Sequence, residues 1–164
     1  MDLDLPRPPL ALVIATEALL GVLFLVGLGA IALLPSFSAN VAASLPEYGQ
    51  LRGPLLAVAI AFTILGLVAL AMVALLVHRV SSGTVLTRPS LLWVDVLVAT
   101  FGCAVVLIIT GFVVISNGQA GSPFLALIQA MACLTLIAVA GITLVLRSLL
   151  RSAIVMRAEL DEVV

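Results

Sequence analysis

Glu17 is the residue of this chain best placed to do chemistry. It sits inside a nearly uninterrupted apolar run, 10–34, ten residues after Arg7. If that run crosses a bilayer, its carboxyl group lies about 10 to 15 Å inside the hydrocarbon. An ionised carboxylate at that depth is costly, so it must be protonated, paired or turned toward a wet cavity. One reading makes Glu17 the proton or cation site of a small coupled transporter. The other makes it a neutral acid hydrogen-bonded to Thr135 or Thr143 of the last apolar run, which come at comparable depth. Phe24 is the one aromatic side chain within two turns of it, a sparse setting for a transport site, and this weighs toward the structural reading.

Asp95 and Arg147 form the second constellation. Asp95 comes four residues into the third apolar run, with Ala99 and Gly102 following at i+4 and i+7, so the acid shares its helix face with small side chains suited to close contact. This predicts that Asp95 points into the protein. Arg147, near the end of the last run, is its nearest partner by depth, with Arg79 and Arg88 as rivals. A carboxylate and a guanidinium there pin two helix ends together through charge-assisted hydrogen bonds.

The remaining reactive side chains point away from catalysis. Cys103 and Cys133 come out at similar depth, about 18 and 17 Å from one membrane edge, and read as buried small apolar side chains rather than a redox pair. His78 is the single histidine, so neither a zinc site nor bis-histidine haem ligation can be assembled. No phosphate-binding glycine loop, nucleophile elbow or soluble catalytic domain is present, and no basic surface suits nucleic acid. The sequence therefore implies no enzyme, no cofactor and no metal.

What must position these residues is a set of membrane helices. Of 164 residues, 64% are hydrophobic and 9% charged, against roughly 25% charged in a soluble domain. The excess lies in four runs, 10–34, 54–77, 91–115 and 124–150, each longer than the roughly 20 residues that cross the hydrocarbon. The first is too long for the apolar core of a cleaved signal and starts acidic, at Asp2 and Asp4, so it counts as a span. The chain reads as one domain, 1–164: an all-α four-transmembrane-helix bundle with a tail helix over 151–164.

All seven positive residues are arginines; Arg7, Arg79, Arg88, Arg147, Arg151 and Arg157 fall at the two ends and the second loop, and only Arg52 in the first. Six against one puts both termini in the cytoplasm. The basic belt then faces anionic lipid of the inner leaflet, while Glu159, Asp161 and Glu162 reverse the sign and lift the tail from the surface at about Ala158. Leu149, Leu150, Ile154 and Met156 alternate with the tail arginines, so the fourth helix is expected to run past the membrane edge. The tail offers Leu160, Val163 and Val164 to a protein partner or a second copy.

The connections carry their own signals. Pro8 and Pro9 suit a first helical turn, and Pro35 is expected to close the first span. In the outer loop, 36–53, the spacing Ser44-Leu45-Pro46-Glu47 is that of a capping box, and Leu45, Tyr48 and Leu51 recur three apart, which predicts a short amphipathic helix on the outer face. Ser81, Ser82 and Gly83 turn the chain. Pro89-Ser90 and Ser122-Pro123 each supply a proline and a capping serine, and Trp93 is expected at the inner interface. Ala57 with Ala61 and Ala126 with Ala130 mark close-packing faces.

Two segments together, PEYGQLRGPLL over 46–56 and LRSLLRSAIVMRAELDEVV over 146–164, with Val94-Asp95 between them, resemble a bacterial family of small four-span membrane proteins known only as a domain of unknown function. The resemblance covers nearly the whole chain. It implies a plasma-membrane protein whose pattern positions are Glu47, Arg52, Asp95, Arg147, Arg151 and Glu159, with no activity attached and no counterpart to Glu17. After Arg79, family members often continue into a phenylalanine where this chain has Thr84-Val85-Leu86-Thr87. The function expected is that of an accessory or interaction component among membrane lipid, with the Glu17 transporter as the alternative.

Overall fold

The computed structural model describes residues 10–81, 88–119 and 121–161. Arg7 with Pro8 and Pro9, the turn at Ser82 and Gly83, the segment 84–87, and Glu162, Val163 and Val164 lie outside the described residues. Side chains are described from Ala11 to Arg79, from Leu92 to Leu149 apart from Ala120, and at Arg151 and Ser152. Four long helices account for nearly all of the rest: α1 (Leu10–Ser44), α2 (Arg52–Ser81), α3 (Arg88–Asn117) and α4 (Pro123–Asp161). All four contain stretches long and apolar enough to cross a membrane.

These helices pack in chain order. α1 lies on α2, α2 on α3 and α3 on α4, and no comparable contact joins α1 to α4 among the described residues. The four-helix bundle is therefore an open row with α2 and α3 inside. The fully buried side chains lie on those two: Leu67 of α2, and Val94, Leu97, Thr100 and Ala104 of α3. Leu97, Ala104 and Gly111 are buried at seven-residue steps, a stripe that keeps facing a neighbour along a coiled helix pair. Outward-facing leucines, isoleucines and valines cover the rest, which water would not tolerate and hydrocarbon does.

Several local expectations are corrected. Pro35 does not close the first span; α1 runs through it to Ser44. Proline removes one backbone donor and leaves the Ile31 carbonyl without it, a loss that a membrane helix tolerates better than exposing unwound backbone to lipid; just beyond it Ser38 Oγ bonds back to the Pro35 carbonyl at 2.8 Å. Alanines and a valine then extend α1, and the connection to α2 shrinks to residues 45–51. The capping box does not form, because Ser44 Oγ turns back to the Asn40 and Val41 carbonyls at 3.0 and 3.1 Å. A single 3-10 turn, Pro46–Tyr48, follows instead. In α3 the helix begins at Arg88, so Ser90 falls within the first turn and not at the cap. At α4, Ser122 Oγ does accept from the Leu125 amide at 3.2 Å, with Pro123 opening the helix.

The close-packing faces also differ from the small-residue patterns. Ala57 and Ala130 are exposed, as are Ala99 and Gly102, and a Cβ on Gly102 would meet nothing. The tight approach is at Gly27, where a Cβ would stand 2.6 Å from Leu67 Cδ2. At the far end of the row, Gly118 lies against the Leu51 side chain, so the α3–α4 turn closes on the α1–α2 turn. Gln119 beside it adopts a left-handed φ of 51°.

Candidate functional site

Polar side chains gather at one end of the row, where α1 and α3 begin and α2 and α4 approach their ends. Among the described residues, each helix junction there carries a polar contact. Between α1 and α2, His78 Nδ1 stands 3.3 Å from Glu17 Oε1. Between α2 and α3, the Arg79 guanidinium lies over the Trp93 ring, 6.0 Å from its centre, within reach of the cation–π attraction. Between α3 and α4, Arg147 holds Asp95 with two bonds, Nη2 to Oδ2 at 2.8 Å and Nε to Oδ1 at 2.7 Å.

The Asp95–Arg147 fork is the strongest of the three by geometry. Both oxygens accept from separate guanidinium nitrogens, the arrangement in which arginine and carboxylate planes match. Each side chain is a little under half exposed, 40% for Asp95 and 44% for Arg147, so the pair sits at the packed edge of α3 and α4 and not within the interior. Of the rivals, Arg79 is engaged with Trp93, and the Arg88 side chain is outside the described residues.

Glu17 does not meet the fourth helix. Thr135 and Thr143 each donate back to a carbonyl of their own helix, Met131 and Val139, at 2.8 Å, and α1 has α2 as its neighbour. The carboxylate instead faces His78, a pairing that the sequence reading missed. The signal was available in the helix lengths: Glu17 lies 27 residues before the end of α1 and His78 lies 26 after the start of α2. In an antiparallel pair of α-helices this brings the two to one level. Stopping the first span at Pro35 hid the match.

Above the pair, Leu20, Phe24, Ala71 and Ala74 line a groove between α1 and α2 of about 570 Å³. It is apolar apart from Glu17 and His78 at one end, open along its side, and of a size that suits a membrane-soluble guest. A second polar side chain that sequence reading passed over is Gln129 of α4. It is half-buried, and its Nε2 would come 3.8 Å from a Cβ on Gly111. Cys103 is exposed and Cys133 half-buried, both unpaired, so the expectation that both thiols are buried fails for Cys103, which faces outward from α3. Among the described residues no group of three metal-binding side chains occurs.

Of the remaining pattern positions, Arg52 opens α2 and donates from Nε to Ser38 Oγ at 3.3 Å. Glu47 and Arg151 are exposed, and Glu159 lies on the helical backbone of the last turns of α4. Compared with known families, residues 36–164 match one described as a protein of unknown function, DUF2975. The chain belongs to that family. No curated protein and no solved structure matches it. The matched region holds His78, Asp95, Arg147 and Arg52, whereas Glu17 stands before it. The protein is thus a small bacterial multi-pass membrane protein of a family whose activity is unknown.

Proposed function

We propose that this protein is a non-enzymatic accessory component of the bacterial plasma membrane, with both termini cytoplasmic, that acts through helix contacts and its C-terminal helix. The observation that carries the reading is the length of α4. Its apolar run ends at about Leu150, before Arg151, yet the helix continues unbroken to Asp161. A helix polar on all sides has little reason to persist alone in water, and this extension alternates apolar and charged residues in a way that suits a surface or a partner. The open row supports the same reading, since α1 and α4 each keep one flank for another membrane helix or a second copy.

The test is deletion of residues 158–164. The shortened chain should insert with four spans but lose co-purifying protein, or lose self-association, in mild detergent. Unchanged association would remove the tail from the function.

A second reading keeps Glu17 as a coupling site, because Glu17 and His78 end an α1–α2 groove of about 570 Å³. It requires Glu17-dependent movement of protons or cations in proteoliposomes. Flux equal in the wild type and Glu17→Gln, or no flux at all, would dismiss it.

A further inference from the structure

We propose that the opposite end of the α1–α2 pair is a binding site for one anionic phospholipid, with the lipid phosphate on Arg52 and an acyl chain in the cleft beside it. There the helices part around a cavity of about 190 Å³ whose wall is formed mainly by Leu34, Phe37, Val41, Leu55 and Ala59, with Arg52, Ser38 and Tyr48 also lining it. The cavity is distinct from the Glu17 groove, and its lining shares no residue with it.

Charge identifies the guest. Between residues 35 and 54 and between 112 and 125, the two connections at this end, Arg52 is the single cation and Glu47 the single anion. Only Arg52 of the two lines the cavity. Its Nε is spent on Ser38 Oγ, which is itself fixed by donating to the Pro35 carbonyl. Among the described residues no acceptor takes the two Nη groups. An arginine oriented through Nε and left with its terminal nitrogens presents a planar donor pair, the geometry that grips two oxygens of a phosphate. At the start of α2 Pro54 has no N–H and the Leu55 amide donates to the Leu51 carbonyl at 3.0 Å, so the amides of Arg52 and Gly53 are the ones that point toward the N-terminal end and favour negative charge. The apolar wall then accounts for the rest of the ligand: a hydrocarbon chain fills it, whereas a free phosphate would leave it empty.

The site does not depend on which leaflet this end occupies, nor on the accessory role of the tail. The continuation of α1 through Pro35 creates it, because Phe37, Ser38 and Val41 stand opposite α2 only if the helix persists.

The experiment uses the full chain purified in mild detergent, with native mass spectrometry reading retained lipid. Phosphatidylglycerol should be retained over phosphatidylcholine, whose headgroup carries its own cation. Arg52→Gln should lower phosphatidylglycerol retention about tenfold, the loss expected for one charged hydrogen-bonded contact. Ala59→Phe should lower it by filling the cleft while leaving the charge in place. Glycerol phosphate, which has the headgroup and no chain, should not compete, whereas a single-chain lysophosphatidylglycerol should. In the wild type, phosphatidylglycerol carrying a photoreactive acyl chain should label residues 34–59. Labelling spread evenly over the four helices would overturn the proposal, even if the variants fail to fold. So would retention unchanged in folded Arg52→Gln and Ala59→Phe, or competition by glycerol phosphate equal to that of the lysolipid.

Discussion

Arg147 reaches Asp95 through both Nε and Nη2, at 2.7 and 2.8 Å, across the junction of the two C-terminal helices. A fork of this kind fixes rotation as well as distance, since both bonds survive only while the two planes stay parallel. It therefore ties the start of α3 to α4 about one turn short of the tail extension.

Replacing Asp95 by alanine should lower the melting temperature in detergent, because Arg147 loses both acceptors. Arg147→Leu on top of it should recover part of that loss. The coupling energy should be about 1 kcal/mol or less, since both groups are more than a third exposed and solvent or headgroups screen them. Strictly additive changes would dispose of the interaction. Arg147→Lys should keep the charge and still lose stability, because an ammonium cannot make the fork.

Helix order gives the second prediction. In a background lacking Cys103 and Cys133, cysteines introduced at Glu17 and His78 should join readily through a short thiol-directed cross-linker, because the native side chains approach to 3.3 Å. Cysteines at Glu17 and Thr143 should not join within one chain, since α1 and α4 are at opposite edges of the row. Efficient joining of the second pair in a monomer would mean that the row closes into a ring.

The elements and the C-terminal pair were legible for the same reason. Apolar runs mark membrane helices directly, and the turn after α3 is short, so distance along each helix reads as depth. Asp95 lies 22 residues before the end of α3 and Arg147 lies 24 after the start of α4, and the two meet. The first hairpin resisted the same arithmetic only because Pro35 reads as a stop. Its effect is a matter of context: proline costs a helix in water about 3 kcal/mol or more, whereas in a membrane the unfolded alternative would expose more backbone to lipid. Rotation about each helix axis was less legible still. In a chain where both lipid-facing and packed positions are apolar, Ala99 and Gly102 look no different from Ala104 and Gly111, and only the packed helices separate them.

Close approach at two glycines supplies a third prediction. Gly27→Val should destabilise the α1–α2 pair by about 1 to 3 kcal/mol through overpacking against Leu67, and Leu67→Ala should recover part of it. Gly118→Val should do the same against Leu51 at the other end, relieved by Leu51→Ala. Gly102→Val, where a Cβ meets nothing, is the control and should change the melting temperature little. A pattern in which all three glycines behave alike would contradict the packing.

Orientation in the membrane rests on arginine placement and supplies the last prediction. The turns joining α1 to α2 and α3 to α4 lie at one end of the row, since Gly118 packs on Leu51. That end carries Arg52 alone, and the other six arginines belong to the chain ends and the α2–α3 connection. Positive residues close to short spans are retained in the cytoplasm during insertion, and acidic residues count for little in the balance. The net charge of −1 is therefore no guide, because it averages the acidic tail with the arginine belt. Single cysteines at Gly49 and Gln119, in a background without Cys103 and Cys133, should react with an impermeant thiol reagent added to intact cells. Cysteines at Thr84 and Val164 should react only after the cells are opened. Gly49 serves better than a site near residue 40, because α1 runs to Ser44 and a label there would test helix packing as well as sidedness. Moving the charge is the sharper measurement: Arg52→Ser should leave the pattern unchanged, whereas removing Arg79 and Arg88 together while adding arginines around Gln50 should produce a mixed population. Labelling of Val164 from outside intact wild-type cells would invert the topology and with it the cytoplasmic assignment of the α4 extension.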